Sequence, residues 1–111
     1  MPPTISSSSE VDESSLRAAL VAVMQRLAQE GLNRGAAGNA SVRCGAHCLI
    51  TPTGVLPADL DAEMIVPLAL DGTPLDAHYR PSSEWRFHAG VYLAQPDVGA
   101  IVHVHSPYAT A

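Results

Sequence analysis

The stretch from Pro81 to His105 constrains the fold most, because it dictates a helix, a return and a strand in a fixed order. It opens Pro81-Ser82-Ser83-Glu84, a helix-start signal in which a serine oxygen accepts from the free amides of the first turn. The spacing predicts a helix to about Gln95, stopped by Pro96, with Asp97-Val98-Gly99 leading back into Ala100-Ile101-Val102-His103-Val104-His105. Strand residues alternate faces, so His103 and His105 share one side and Val102 and Val104 the other. This path carries the Glu84 carboxylate, near a helix N-terminus, toward two imidazoles. On its own, a His-x-His strand is either the start of a metal site or a coincidence of core histidines. His88 follows Glu84 by four residues and shares its helical face; it reads as a packed histidine that orients the site, not as a ligand.

The preceding chain supplies what such a helix and strand pack against. Leu16, Leu20, Val23 and Leu27 recur on one face of a helix predicted from about Val11 to Glu30, with Gly31 as its stop. Gly35-Ala36-Ala37-Gly38-Asn39 then bends freely and leaves its amides uncovered before a strand, Ala40 to Cys44. A turn at Gly45-Ala46-His47 and a second strand, Cys48-Leu49-Ile50, complete a hairpin. Thr51-Pro52-Thr53-Gly54 follows at its end, a second loop of hydroxyls and exposed amides. Each loop alone is an ordinary turn or half of an anion cradle. Leu56 to Glu63 reads as a turn with a short helical piece, and Ile65 to Leu70 as a strand ended by Asp71-Gly72. Pro67 assigns that strand to an edge or a bulge, with Thr73 to Ala77 pairing back on it. His78 and Tyr79 fall in the next loop, outside the site.

Composition excludes several functions. The net charge is −5, with six Arg and no Lys, too little positive charge for a phosphate-backbone surface and no partner for nucleic acid. No apolar run approaches the roughly 20 residues that cross a bilayer. Residues 1–10, rich in Pro and Ser without an apolar core, read as a disordered lead and not a signal peptide, which implies a cytoplasmic protein. Cys44 and Cys48 read as reduced packing cysteines with no disulfide, since a metal reading needs further ligands and His47 is the one nearby.

Four blocks in order, Gly38-Asn39-Ala40-Ser41-Val42-Arg43, Leu49-Ile50-Thr51-Pro52-Thr53-Gly54, Pro81-Ser82-Ser83-Glu84-Trp85-Arg86-Phe87-His88 and Val102-His103-Val104-His105, carry a resemblance. The chain resembles the N-terminal half of the class II aldolase/adducin domain, and is most similar to its fuculose-1-phosphate aldolase branch. The resemblance implies an α/β fold, a mainly antiparallel mixed sheet covered by helices in three α/β/α layers. It assigns residues 11–111 to that domain and implies that the domain is incomplete at its C-terminal end. The family's third zinc histidine and a catalytic C-terminal tyrosine have no counterpart here.

By the same resemblance, Gly38, Asn39, Thr53, Gly54, Ser82 and Ser83 bind a sugar phosphate. Glu84 is the catalytic carboxylate, and Glu84, His103 and His105 hold Zn2+ or another divalent metal. The implied reaction is reversible cleavage of a ketose 1-phosphate, such as L-fuculose 1-phosphate, to dihydroxyacetone phosphate and an aldehyde. A metal Lewis acid would replace the Schiff-base lysine of other aldolases, and this chain has no lysine. Family epimerases tend to carry Asp at the Glu84 position, which favours an aldolase or related lyase. The alternatives are an epimerase or dehydratase of the same family, or a non-catalytic interaction module like the adducin head. A homo-oligomer is implied, a tetramer in the family.

Overall fold

A computed structural model describes residues 12–33, 35–75 and 78–104. The lead over residues 1–10 and the expected ligand His105 lie outside the described residues.

Helix α1 spans Glu13–Gln29. Asp12 caps it, its carboxylate accepting from the Ser14 amide at 3.3 Å. The helix ends where Gly31 takes φ 72°, a left-handed conformation that costs glycine nothing. Strand β1, Asn39–Cys44, and strand β2, His47–Ile50, form the hairpin. Its turn is the two residues Gly45-Ala46, with Gly45 at φ 61°, so His47 belongs to the strand opposite Cys44 and not to the turn. Strand β3 is Val66–Ala69, helix α2 is Trp85–Ala94 and strand β4 is Ala100–His103.

The sheet order is β3-β2-β1-β4, and all three ladders are antiparallel. Period-two alternation divides the side chains between two apolar clusters. Leu20 and Met24 of α1 pack with Ala40, Leu49, Leu60 and Ile65 on one face. Tyr92 of α2 packs with Cys48, Ile50, Val66 and Leu68 on the other. The three-layer α/β/α arrangement is therefore present, and each described neighbour pair in it is antiparallel.

One local expectation changes. The helical piece over 56–63 is two separate 3₁₀ turns, Pro57–Asp59 and Ala62–Met64. Asp61 starts the second by accepting from the Glu63 amide at 3.0 Å, which leaves the buried Leu60 extended between them. Of the return strand expected over Thr73 to Ala77, Asp76 and Ala77 lie outside the described residues, and the described ones form a single bridge, Leu68 to Pro74. Its flanking bonds are Ala69 N–H to Thr73 O at 2.9 Å and Leu75 N–H to Pro67 O at 3.0 Å. Pro67 does lie on an edge strand. Gly72, at φ 98°, sits beneath the Trp85 ring, and a Cβ there would lie 2.3 Å from the ring, so this turn seats the start of α2. No helix of the described residues is long and apolar enough to cross a membrane.

Candidate active site

The site follows from a match between two periods. A strand advances about 6.6 Å every two residues and a helix about 6 Å every four. Asn39, Ser41 and Arg43 of β1 therefore step in parallel with Glu84, the N-cap of α2, and with His88 and Tyr92 of the helix, which lies over that face. Ser41 Oγ lies 2.6 Å from His88 Nδ1 and 2.7 Å from the Tyr92 hydroxyl. His88 Nε2 meets Asn39 Oδ1, and Asn39 Nδ2 donates to Glu84 Oε1 at 3.3 Å. The row ends at His103, which stands opposite Asn39 in the β1–β4 register and contacts Glu84 Oε1 through Nδ1.

Burial grades this row from inside to mouth. Ser41, His88 and Tyr92 are buried, whereas Glu84 and His103 are partly exposed. Desolvation, and then the nearby His103, lower the His88 pKa to about 4 against a smaller opposing pull from Glu84, so this imidazole is neutral at pH 7. Burial raises the Tyr92 pKa to about 12, so its hydroxyl keeps its proton. Phe87 stands beside the mouth, its ring centroid 5.8 Å from that of His103.

The two hydroxyl loops are tied together next to Glu84. Thr51 joins the ends of β1 and β2, its Oγ1 accepting from the Ala40 amide at 3.1 Å. The Ser82 amide donates to Thr51 O at 2.9 Å and the Thr53 amide to Arg80 O at 3.0 Å. Ser82 is buried and its Oγ accepts from the Glu84 amide at 3.2 Å, but Glu84 is itself the N-cap of α2 and no side chain caps the helix, so the serine fixes the turn before α2 instead of capping its first-turn amides. Thr53, Gly54 and Ser83 are exposed, Gly54 at φ 74°. Gly38 precedes Asn39 with the Asn33 side chain 2.3 Å from where a Cβ would stand, so only glycine fits without displacing Asn33. The Asn39 side chain is 3 % exposed and already engaged by His88 and Glu84, leaving one Nδ2 hydrogen for any ligand.

Sequence reasoning had named Asn39, Glu84, Ser82 and His103, and the structure brings them together. It set His88 aside as an orienting residue and overlooked Ser41 and Tyr92. The signal for these two was the pairing of i, i+4, i+8 on α2 with i, i+2 on β1. Among the described residues, one further group of potential ligands gathers on the opposite face, Glu13, Cys44 and His47, with donor atoms within 4.8 Å of one another. Glu13 comes from α1, too far along the chain for local spacing to reveal. Its carboxylate already pairs with Arg17 at 2.9 Å, and burial together with the Glu13 charge pushes the Cys44 thiol up, so a guanidinium and a protonated thiol oppose a cation there. Cys44 and Cys48 project to opposite faces of the sheet and are both free.

Residues 18–111 match the class II aldolase and adducin N-terminal domain. The chain belongs to the class II aldolase/adducin family. It is 45 % identical over 95 residues to the 5-methylthioribulose-1-phosphate/5-deoxyribulose-1-phosphate aldolase of Rhodospirillum rubrum, covering 86 % of this chain and 42 % of that one. It is 45 % identical over 93 residues to the methylthioribulose-1-phosphate dehydratase of Acidiphilium cryptum, covering 83 % of this chain and 44 % of that one. Among solved structures, an L-fuculose 1-phosphate aldolase superposes with a TM-score of 0.83 at 31 % identity, over 87 % of this chain and 47 % of that one. This class II aldolase/adducin chain thus spans somewhat under half the length of the relatives it matches.

Proposed function

We propose that this chain carries the base and phosphate-binding half of a metal-dependent aldolase that cleaves a ketose 1-phosphate to dihydroxyacetone phosphate and an aldehyde. The observation that carries this reading is the meeting of Glu84 and His103 at a partly exposed mouth, flanked by the Thr53-Gly54 and Ser82-Ser83 loops. In this reading the hydroxyls of Thr53, Ser82 and Ser83, the amides of Gly54 and Ser83 and the remaining Asn39 hydrogen receive the phosphate, with Gly38 keeping the loop close. Glu84 serves the reacting carbon. In cleavage the C3–C4 bond breaks, its electron pair stays on C3, the C4 hydroxyl gives its proton to solvent as the aldehyde forms, and Glu84, protonated from solvent, delivers a proton to C3. In condensation Glu84 removes that proton.

The donor chemistry suits a divalent cation, since one carboxylate and one imidazole already face each other and His105 is the expected third ligand. Glu84, His103 and His105 would hold Zn2+, with Glu84 displaced from it by substrate and so freed to act as the base, and the ion would supply Lewis-acid polarisation of the substrate oxygens. A carboxylate paired with an imidazole has no use in a purely structural module, which weighs against an adducin-like interaction role. A cytoplasmic setting and a homo-oligomer complete the reading; the two free thiols fit a reducing compartment. A second reading, loss of water from 5-methylthioribulose 1-phosphate, rests on the dehydratase relative.

The test is release of dihydroxyacetone phosphate from fuculose 1-phosphate and 5-deoxyribulose 1-phosphate with zinc added. Glu84→Gln should lower turnover on the order of a thousandfold, the usual range for a proton-transfer group. Water loss without carbon–carbon cleavage would select the dehydratase reading, and turnover indifferent to Glu84→Gln would reject both.

A further inference from the structure

His88 is 0 % exposed and has both ring nitrogens engaged, Nδ1 by Ser41 and Nε2 by Asn39. A buried polar row of this kind is costly unless every donor meets an acceptor. Only one direction satisfies it. With Glu84 ionised, Asn39 must turn its NH2 toward the carboxylate, because the reverse orientation sets two acceptors against each other. Asn39 Oδ1 then faces His88, so Nε2 carries the hydrogen and Nδ1 is bare. Ser41 must donate to that bare nitrogen, which leaves its oxygen to accept from the Tyr92 hydroxyl. All hydrogens in the row point one way, from Tyr92 to Glu84.

We infer that His88 is a positioning residue: held by Ser41 and Tyr92 as its Nε2–H tautomer, it fixes the Asn39 amide and through it the orientation of the Glu84 carboxylate. The row reaches 45 positions along the chain from Asn39 to Glu84 and 51 from Ser41 to Tyr92, so it fastens α2 to β1 by direction-specific bonds in addition to apolar contact. A carboxylate that shuttles a proton must be aimed, since small misplacements cost much of the rate. The catalytic consequence rests on the aldolase reading; the tautomer and the amide orientation do not.

The experiment separates the two. Two-bond proton–nitrogen spectra of the 15N-labelled chain at pH 7 should show His88 protonated at Nε2 and bare at Nδ1. Ser41→Ala should admit the Nδ1–H form. The Asn39 side-chain amide protons should exchange faster in His88→Leu and return to slow exchange in His88→Gln, whose amide can still donate to Asn39 Oδ1. An Nδ1–H or doubly protonated His88 in the unmutated chain overturns the inference without any variant having to fold. A His88→Gln variant no better than His88→Leu also overturns it. In the cleavage assay, His88→Leu should lower kcat on the order of a hundredfold with little change in KM, and His88→Gln should recover most of it. A loss confined to KM would overturn the positioning role. Absence of cleavage by the unmutated protein would count against the aldolase reading, and the spectra alone would then decide the inference.

Discussion

At the scale of single residues, burial gives His88 a consequence for stability. Its folded pKa, about 4, lies below the ordinary value of 6.5, so the unfolded chain binds the proton first as pH falls. Stability from this group is whole above about pH 6.5, declines between about 6.5 and 4, and is level below that. The shift corresponds to roughly 3 kcal/mol at most. Urea unfolding between pH 7 and pH 4 should show this decline, and His88→Gln should flatten it; an unchanged slope would show that His88 titrates freely. Tyr92, His103 and Glu84 are the titratable groups around it, with Tyr92 neutral throughout this range. Single-residue chemistry was partly legible in the sequence. Glu84 and His103 announced themselves because a helix-start serine pair and a strand-borne His-x-His are local patterns. Ser41 and Tyr92 did not, because a serine in a strand and a tyrosine in a helix gain meaning only when the two elements are stacked.

At the scale of elements, Arg43 clamps the end of α2. Its Nε donates to Val98 O at 2.9 Å and its NH2 group to Tyr92 O at 3.0 Å and Gln95 O at 3.2 Å, which places a cation on the last carbonyls of the helix. The guanidinium also stands 4.8 Å from the Tyr92 ring centroid. Arg43→Met keeps the stem and removes these bonds, and should cost about 2 kcal/mol in urea unfolding. A change near zero would mean that apolar packing alone seats α2. Helix α1, the hairpin, the edge position of Pro67 and the helix–return–strand unit were all legible, because each rests on a period, a cap or a turn within a few residues. The 56–63 segment was not, since one side-chain bond from Asp61 divides it.

At the scale of the whole molecule, the sheet is closed unequally. The bridge to Pro74 covers part of β3, whereas β4 pairs with β1 and, among the described residues, no strand lies beyond it. Val102 on that edge is 51 % exposed, and Phe87 and Leu93 of α2 are also exposed. An apolar cleft of about 130 Å³ opens between α1 and strands β1 and β4, lined by residues that include Leu16, Val23, Val42 and Val102. An uncovered edge with apolar side chains favours pairing with another chain. The 111-residue chain should therefore associate with rising concentration in light scattering, and Val102→Lys should reduce that association. A monomer unaffected by concentration would show that the edge is protected.

The central claim is that Glu84 moves a proton at the carbon next to the ketone of a three-carbon phosphate, and exchange of that proton tests it without the second substrate. Dihydroxyacetone phosphate incubated in D2O with zinc and the protein should take up deuterium at C3, at a rate lost in Glu84→Gln. No uptake above the background of zinc alone, or uptake that survives Glu84→Gln, would contradict the account.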